Sequence, residues 1–211
     1  MNDSSMPDLA LPDDIEICRD LGAGRRSHVC LAKYLGRDVV VKIYKPHYIE
    51  KYQKQYKVNI GEFEYGRNKR AFDDPALSRY IAEPYRLLMP SEGYRLALVQ
   101  EYVKGRWLKE FMQETGSLPV EVLQAGYKIV AEAARLGMYD LDISLGNILI
   151  QQNQNGQWQP KLYDFNLMPQ HMCPPNPFMA LGFMLGLRSK NHRDYRSLKN
   201  WQAFADNLSK K

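Results

Sequence analysis

The sequence predicts an α+β protein with two lobes, an antiparallel β-sheet lobe followed by a short, mainly helical lobe. Three observations support this prediction. Residues 15–44 contain three β-prone runs separated by turn residues. Two further β-prone runs, at 80–89 and 95–103, are joined by a short turn. Beyond them, apolar residues recur at helical spacing, most clearly over 119–137.

Length and composition fit a globular protein. The 211 residues suffice for one large domain or two small lobes, and 45% of them are hydrophobic. The net charge of +5 favours anionic partners without selecting one. The three cysteines lack metal-ligand spacing, the polar segment 1–14 lacks a signal core, and the apolar run 178–187 is too short to span a membrane. We therefore expect a cytoplasmic protein whose first 14 residues are a flexible lead-in.

A glycine-containing turn follows the first strand, residues 15–21. Gly22 and Gly24 permit a tight turn whose backbone amides can approach an anion. Residues 29–34 alternate again, so the glycines lie between two strands. An ordinary hairpin turn has the same pattern, and the segment alone leaves both interpretations open.

The third strand, residues 39–44, contains a lysine. Lys42 inside such a β-prone run is unfavourable unless its ammonium meets an anion or faces solvent on an edge strand. Residues 46–60 then indicate a surface helix or a mobile insert, and 61–72 a helix. This helix is expected to supply a partner for Lys42, with Glu64 preferred and Glu62 as the alternative.

The boundary between the lobes is expected near residue 103, giving lobes of 15–103 and 104–211. The strand 95–103 ends in Glu101-Tyr102-Val103 and runs into a flexible connector. Helices are predicted over 106–114 and 119–137.

Three polar residues are expected to converge at one end of a small hairpin. Asp142 and Asn147 precede the apolar run Ile148-Leu149-Ile150, and Asp164 follows the next strand. Turn chemistry alone can explain Asp and Asn here, but their oxygens also suit Mg²⁺. Asp140 is interpreted as a loop cap or a second carboxylate near a substrate, and we favour the cap. A proline-rich loop over 167–177 and helices over 178–190 and 194–208 complete the chain.

Taken in order, these segments resemble the protein-kinase-like superfamily. The match rests on Gly22 and Gly24, Lys42, Glu64, Glu101-Tyr102-Val103, Asp142 with Asn147, and Asp164-Phe165-Asn166. Within it, Leu145-Gly146-Asn147-Ile148-Leu149 and Glu64-Tyr65 are similar to the small bacterial lipopolysaccharide-core (Kdo/heptose) sugar kinases and to RIO-like and aminoglycoside-phosphotransferase-like relatives.

The resemblance implies an ATP- and Mg²⁺-dependent phosphotransferase. Asp142 would accept a hydrogen bond from the attacking hydroxyl, Glu64 would hold Lys42 on the phosphates, and Asn147 with Asp164 would bind Mg²⁺. The residues implied to contact ATP are Gly22, Gly24, Ser27, Val29, Lys42, Glu101 and Val103.

The implied acceptor is a hydroxyl of a sugar, glycolipid or other small molecule. About 45 residues follow Asp164, fewer than the long activation segment and full helical lobe of eukaryotic protein kinases need. Peripheral contact with the cytoplasmic face of the inner membrane would suit a glycolipid acceptor. No nucleic-acid motif is present, and the sequence does not indicate an oligomeric state.

Three departures from the kinase pattern leave an alternative open. Asp140 stands where the catalytic-loop histidine is expected, Asn166 replaces the glycine of D-F-G, and Ser27 replaces the third loop glycine. The alternative is a catalytically weak, nucleotide-binding regulatory protein.

Overall fold

The computed structural model describes residues 11–164, 177–187 and 189–210. These residues form two compact units. The first comprises residues up to Tyr65 together with Glu83–Tyr102, and the second comprises Gly66–Ala82 and the residues from Val103 onward. The segment 66–82, which the sequence places in the first lobe, thus packs with the second unit.

The first unit contains an antiparallel sheet. Its strands within the described residues have the spatial order β1-β2-β3-β5-β4. They are β1 (Ile15–Ala23), β2 (Ser27–Tyr34), β3 (Arg37–Tyr44), β4 (Pro84–Leu88) and β5 (Ala97–Glu101). The strand that carries Lys42 is therefore central, because β3 pairs with β2 on one side and β5 on the other.

Alternation along β3 separates an apolar face from a polar one. Val39, Val41 and Ile43 are fully buried in the core of this unit. Side chains two residues apart share a face of a strand, so Lys42 and Tyr44 lie together on the opposite face. Both are buried as well, so this polar face requires internal hydrogen-bond partners.

Two helices follow β3. Helix α1 spans Pro46–Tyr56 and α2 spans Ile60–Phe72. Pro46 opens α1 at a position where its missing N–H costs nothing, so residues 46–56 form a helix rather than a mobile insert. Helix α2 contributes its residues up to Tyr65 to the first unit and the rest to the second.

The second unit combines a small sheet with helices. Within the described residues the sheet has the order β6-β7-β8, and the hairpin β7–β8 is the one that the sequence predicts. The elements are β6 (Arg106–Trp107), α3 (Leu108–Thr115), α4 (Val120–Arg135), β7 (Ile148–Gln152), β8 (Trp158–Leu162), α5 (Pro177–Met184) and α6 (His192–Leu208).

Several predicted boundaries were wrong. The helix predicted over 178–190 ends at Met184, with Gly186 at a positive φ of 68°. The helix predicted from 106 begins at Leu108, because Arg106–Trp107 pairs with β7. The strand predicted over 80–89 begins only at Pro84. The proline-rich loop over 167–177 lies almost wholly outside the described residues, and no helix among those described is long and apolar enough to cross a membrane.

The core of the second unit depends on close contact between α4 and α6. An ideal Cβ on Gly126 of α4 would lie 2.6 Å from Leu198 Cδ2 and 2.9 Å from Trp201 Cζ3. Leu198 and Trp201 are both fully buried on α6. Only glycine therefore permits this approach of the two helices.

We predict that Gly126→Ala lowers the free energy of unfolding by about 1–3 kcal/mol, because overpacking outweighs the improved helix propensity. Gly66→Ala is the matched control, since Gly66 lies inside α2 with no atom within 4 Å of an ideal Cβ. The control should gain about 0.5–1 kcal/mol. Urea unfolding of the two variants measures both changes, and equal stabilisation by both would contradict this packing.

Candidate functional site

The polar face of β3 meets a buried glutamate of α2. Lys42 Nζ lies 3.0 Å from Glu64 Oε1, and both side chains are about 5% exposed. Tyr44 donates its hydroxyl to Glu64 Oε2 at 2.7 Å. Both carboxylate oxygens of Glu64 are thus engaged, which fixes the glutamate against the lysine.

The structure pairs Lys42 with Glu64 rather than with Glu62. Glu62 is exposed at the start of α2, where its backbone N–H bonds the side chain of Asn59. A buried ion pair contributes little net stability, because desolvation of two charges opposes their attraction. The pair is therefore better explained by a function of the ammonium group than by folding.

The glycine turn connects β1 to β2, with Gly22 in the last part of β1 and Gly24 directly after that strand. Gly22 pairs across the ladder with Val29, and Ser27 begins β2. Gly22 has a φ of 109°, and its N–H donates to Asp20 Oδ1 at 2.8 Å. Lys45 Nζ donates to the carbonyl of Gly24 at 2.8 Å. A basic side chain thus holds the turn next to the end of β3.

The predicted adenine-contacting segment begins at the end of β5. The N–H of Glu101 donates to the carbonyl of Glu83 at 2.8 Å, and Glu101 Oε2 accepts the N–H of Glu83 at 3.1 Å. Val103 is buried, and its carbonyl accepts the N–H of Gly105 at 2.9 Å. The contact of these residues with adenine stays a prediction.

In the second unit, Asp142, Asn147 and Asp164 lie at one end of the hairpin β7–β8. Asn147 Nδ2 donates to the carbonyl of Asp142 at 2.9 Å, and its N–H donates to Ser144 at 2.9 Å. Asp142 lies at the surface, but protein atoms crowd its carboxylate. This partial burial and, second, the charge of Asp164 raise the pKa of Asp142. The two carboxylates are therefore close enough to interact.

A carboxylate from α6 fixes the start of the segment 139–147, which we call the Asp142 loop. Asp194 is fully buried, and its two oxygens accept the backbone N–H groups of Asp140 and Leu141 at 2.9 and 2.7 Å. Burial raises the pKa of Asp194 to about 6, against the lowering effect of these two bonds. Each oxygen thus satisfies one buried donor of the loop.

Carbonyls of the Asp142 loop accept hydrogen bonds from three other side chains. Trp201 Nε1 donates to Ile143 at 2.9 Å. Arg67 Nη2, in the part of α2 that belongs to the second unit, donates to Tyr139 at 3.0 Å. A third bond, at 3.3 Å, joins the Tyr163 hydroxyl to the Gly146 carbonyl. Side chains from α2, from α6 and from the residue after β8 therefore hold the loop at several points along its length.

Sequence reasoning missed Asp194, although the sequence carries a signal for it. Asp194 shares one face of α6 with Leu198, Trp201 and Ala205, which follow it at helical spacing. All four are buried. A carboxylate in such an apolar stripe requires internal donors. Sequence reasoning also missed the partner of Asp140, whose carboxylate binds Arg193 Nη1 at 3.0 and 2.9 Å.

The donor set at this end of the hairpin fits Mg²⁺. Because Asn147 directs its Nδ2 to a carbonyl, its Oδ1 is the atom that would bind a metal, together with the carboxylate of Asp164. Within the described ranges no cluster of three or more His, Cys, Asp or Glu suits a metal ion. Two protein oxygens are nevertheless what Mg²⁺ uses when substrate phosphates and water complete its shell. Phe165 and Asn166 lie outside the described residues.

Comparison with known proteins identifies the fold. No protein-family model matches the chain, and no curated protein matches its sequence. The kinase domain of Mycobacterium tuberculosis PknI, in a single-substitution mutant, matches with a TM-score of 0.53 and 18% identity over 76% of this chain and 63% of that one. Residues 1–466 of Rad53, in complex with AMP-PNP, match with a TM-score of 0.52 and 19% identity over 74% of this chain and 39% of that one. This chain has a kinase-like two-lobed fold.

The likeness has two limits. The chain spans about 63% of the length of the PknI kinase domain. At identities of 18–19% the similarity concerns the fold, and the activity has to be argued from the site.

We predict that Asp194 makes the stability of the second unit depend on pH. Its pKa is about 6 when folded and near 4 when unfolded, so between these values the folded protein holds a proton that the unfolded chain has lost. The contribution of Asp194 to the free energy of unfolding therefore falls as the pH rises from 4 to 7, by about 3 kcal/mol at most. Asp194→Asn removes this pH-dependent contribution, because asparagine does not titrate. Denaturant unfolding of both proteins over this range measures it, and a constant difference between them would contradict the assignment.

Proposed function

We propose that this chain is an ATP- and Mg²⁺-dependent phosphotransferase that phosphorylates a hydroxyl of a sugar or other small molecule. The observation that carries the proposal is the set Asp142, Asn147 and Asp164, held at one end of the β7–β8 hairpin of a kinase-like fold. Phosphoryl transfer needs little covalent chemistry from a protein. It needs groups that position the reactants and neutralise their charge.

The first unit supplies groups suited to the phosphates of ATP. Lys42, paired with the Glu64 that Tyr44 also binds, carries an ammonium on the polar face of a central strand. An ion pair that is already formed orients this charge without reorganisation at the moment of reaction. Backbone amides of the turn after Gly22, as far as Ser27, can cover phosphate oxygens, whereas the amide of Gly22 donates to Asp20. In this proposal the backbone of Glu101 and Val103 binds the adenine edge.

The second unit supplies groups suited to the acceptor and the metal. Asp142 accepts the hydrogen bond of the attacking hydroxyl and orients its oxygen. Its raised pKa, caused by burial and by Asp164, makes it a better proton acceptor than an ordinary surface aspartate. Asn147 Oδ1 and the Asp164 carboxylate would hold Mg²⁺, which when bound neutralises phosphate charge.

Charge supports an anionic acceptor. The net charge of +5 favours phosphorylated sugars and glycolipids, including those of the lipopolysaccharide core, over neutral ones. A glycolipid acceptor would bring the protein to the cytoplasmic face of the inner membrane as a peripheral protein. The PknI structure that matches is a kinase domain, and an acceptor screen has to include protein hydroxyls as well as sugars.

The alternative is a regulatory protein that binds a nucleotide without efficient transfer. It is favoured by the absence of the catalytic-loop histidine, whose place Asp140 occupies. Both functions require nucleotide binding, so a measurement of turnover is needed to distinguish them.

We predict that Asp142→Ala lowers the rate of ATP consumption about 10²–10⁴-fold, because the attacking hydroxyl loses the group that orients it. The measurement is the release of ADP in the presence of acceptor. Binding of ATP with Mg²⁺ should persist, since Asp142 is not a proposed metal ligand.

The control separates binding from turnover. Thermal stabilisation by ATP with Mg²⁺ should match the wild type in Asp142→Ala and should vanish in Asp164→Ala. At 100-fold excess over Kd it should reach about 2.7 kcal/mol in the wild type. ATP consumption that survives in Asp142→Ala would show that the activity comes from another site.

A further inference from the structure

Two neighbouring residues of α6 contact the same residue of the Asp142 loop. Arg193 binds the carboxylate of Asp140 through Nη1, at 3.0 and 2.9 Å, while Asp194 accepts the backbone N–H of Asp140 at 2.9 Å. Asp140 is buried, whereas about a third of the Arg193 side chain is exposed. The side chain and the backbone of Asp140 are thus both attached to α6.

The charges around Asp140 form a cluster of both signs. Arg67 donates to the carbonyl of Tyr139 at 3.0 Å and interacts electrostatically with Asp140 and Asp194. Burial lowers the pKa of Arg67, and these two carboxylates oppose that effect. The carboxylate of Asp142 also interacts with Asp140 and with Arg193, so three carboxylates and two guanidinium groups lie around the start of the loop. Removal of one guanidinium leaves a buried negative charge without compensation.

The backbone of the Asp142 loop depends on such contacts. Asp140 and Asp142 have φ values of 58° and 60°, in the left-handed region that residues with a Cβ rarely adopt. A residue remains there only where the surrounding contacts determine its conformation. Asp142 lies two residues after Asp140 in the chain. A change of backbone angles at Asp140 therefore displaces the carboxylate of Asp142.

We propose that the Asp140–Arg193 ion pair is a positioning device that replaces the missing histidine and holds the Asp142 loop in its working conformation. The engaged carboxylate of Asp140 also explains why it is not a second acceptor-binding group. This inference rests on the proposed phosphotransferase activity for its kinetic consequence, but its structural part is independent of activity.

The test compares two identical substitutions on one helix. Arg193→Gln removes the guanidinium that binds Asp140, and Arg196→Gln removes an exposed arginine three residues further along α6. A double variant, Asp140→Asn with Arg193→Gln, removes both charges. It retains a residue that tolerates positive φ and leaves no unpaired carboxylate.

The first readout is amide hydrogen exchange over peptides that cover the Asp142 loop. We expect faster exchange over residues 139–147 in Arg193→Gln, with α4 unchanged and with the wild-type pattern in Arg196→Gln. The double variant should recover most of the protection. Equal exchange in Arg193→Gln and Arg196→Gln would overturn the proposal, whatever the activity of the protein.

The second readout is kinetic. Displacement of Asp142 should lower kcat about 10–100-fold in Arg193→Gln, with KM for ATP unchanged within about twofold. The double variant should regain most of kcat. Faster exchange with an unchanged kcat would overturn the positioning role. A wild type without any turnover would instead refute the proposed function, and the exchange data would still decide whether the pair holds the loop.

Discussion

The hydrogen bonds from two consecutive backbone amides to the carboxylate of Asp194 are the constraint on which the site in the second unit depends. Hydrogen bonds to a charged group contribute about 1.5–3 kcal/mol each. The left-handed conformations at Asp140 and Asp142 cost at most about 1–2 kcal/mol each, since Asp adopts this region more readily than most residues. The bonds to Asp140 and Leu141 are large enough to offset this cost and can hold a loop that would otherwise relax. Asp194 in turn depends on Leu198 and Trp201, which bury α6 against α4.

In the first unit, strand alternation brings the buried polar side chains of β3 to a common partner. The same period that directs Val39, Val41 and Ile43 into the core directs Lys42 and Tyr44 to the other face. There a single glutamate of α2 satisfies both. A lysine with so little exposure has to keep an anionic partner. A phosphate group would be a second anion for the same ammonium.

Local patterns were sufficient to predict the presence of β1 to β5, the β7–β8 hairpin and the grouping of Asp142, Asn147 and Asp164, since period and turn residues act over a few positions. They missed β6, whose two residues are strand only through their pairing with β7. The contacts that shape the Asp142 loop could not be predicted in this way. Asp194 is 53 residues from Leu141 in the chain, and Trp201 is 58 from Ile143. Which buried donor a distant carboxylate meets is decided by tertiary packing. The sequence favoured Glu64 over Glu62 as the partner of Lys42, and the structure has this pair, although two glycines weaken the helical pattern of α2.

In the proposed function, each of the two units carries part of a phosphotransfer apparatus. The most direct test of this function is to incubate the protein with ATP, Mg²⁺ and a panel of acceptors, and to identify the products by mass spectrometry. The panel should comprise sugars, phosphorylated sugars, core glycolipids and a protein with exposed serines. The proposed function predicts one phosphate ester on a sugar or glycolipid hydroxyl, formed together with ADP. Binding of ATP without any phosphate ester or ADP would contradict it and would favour the regulatory protein.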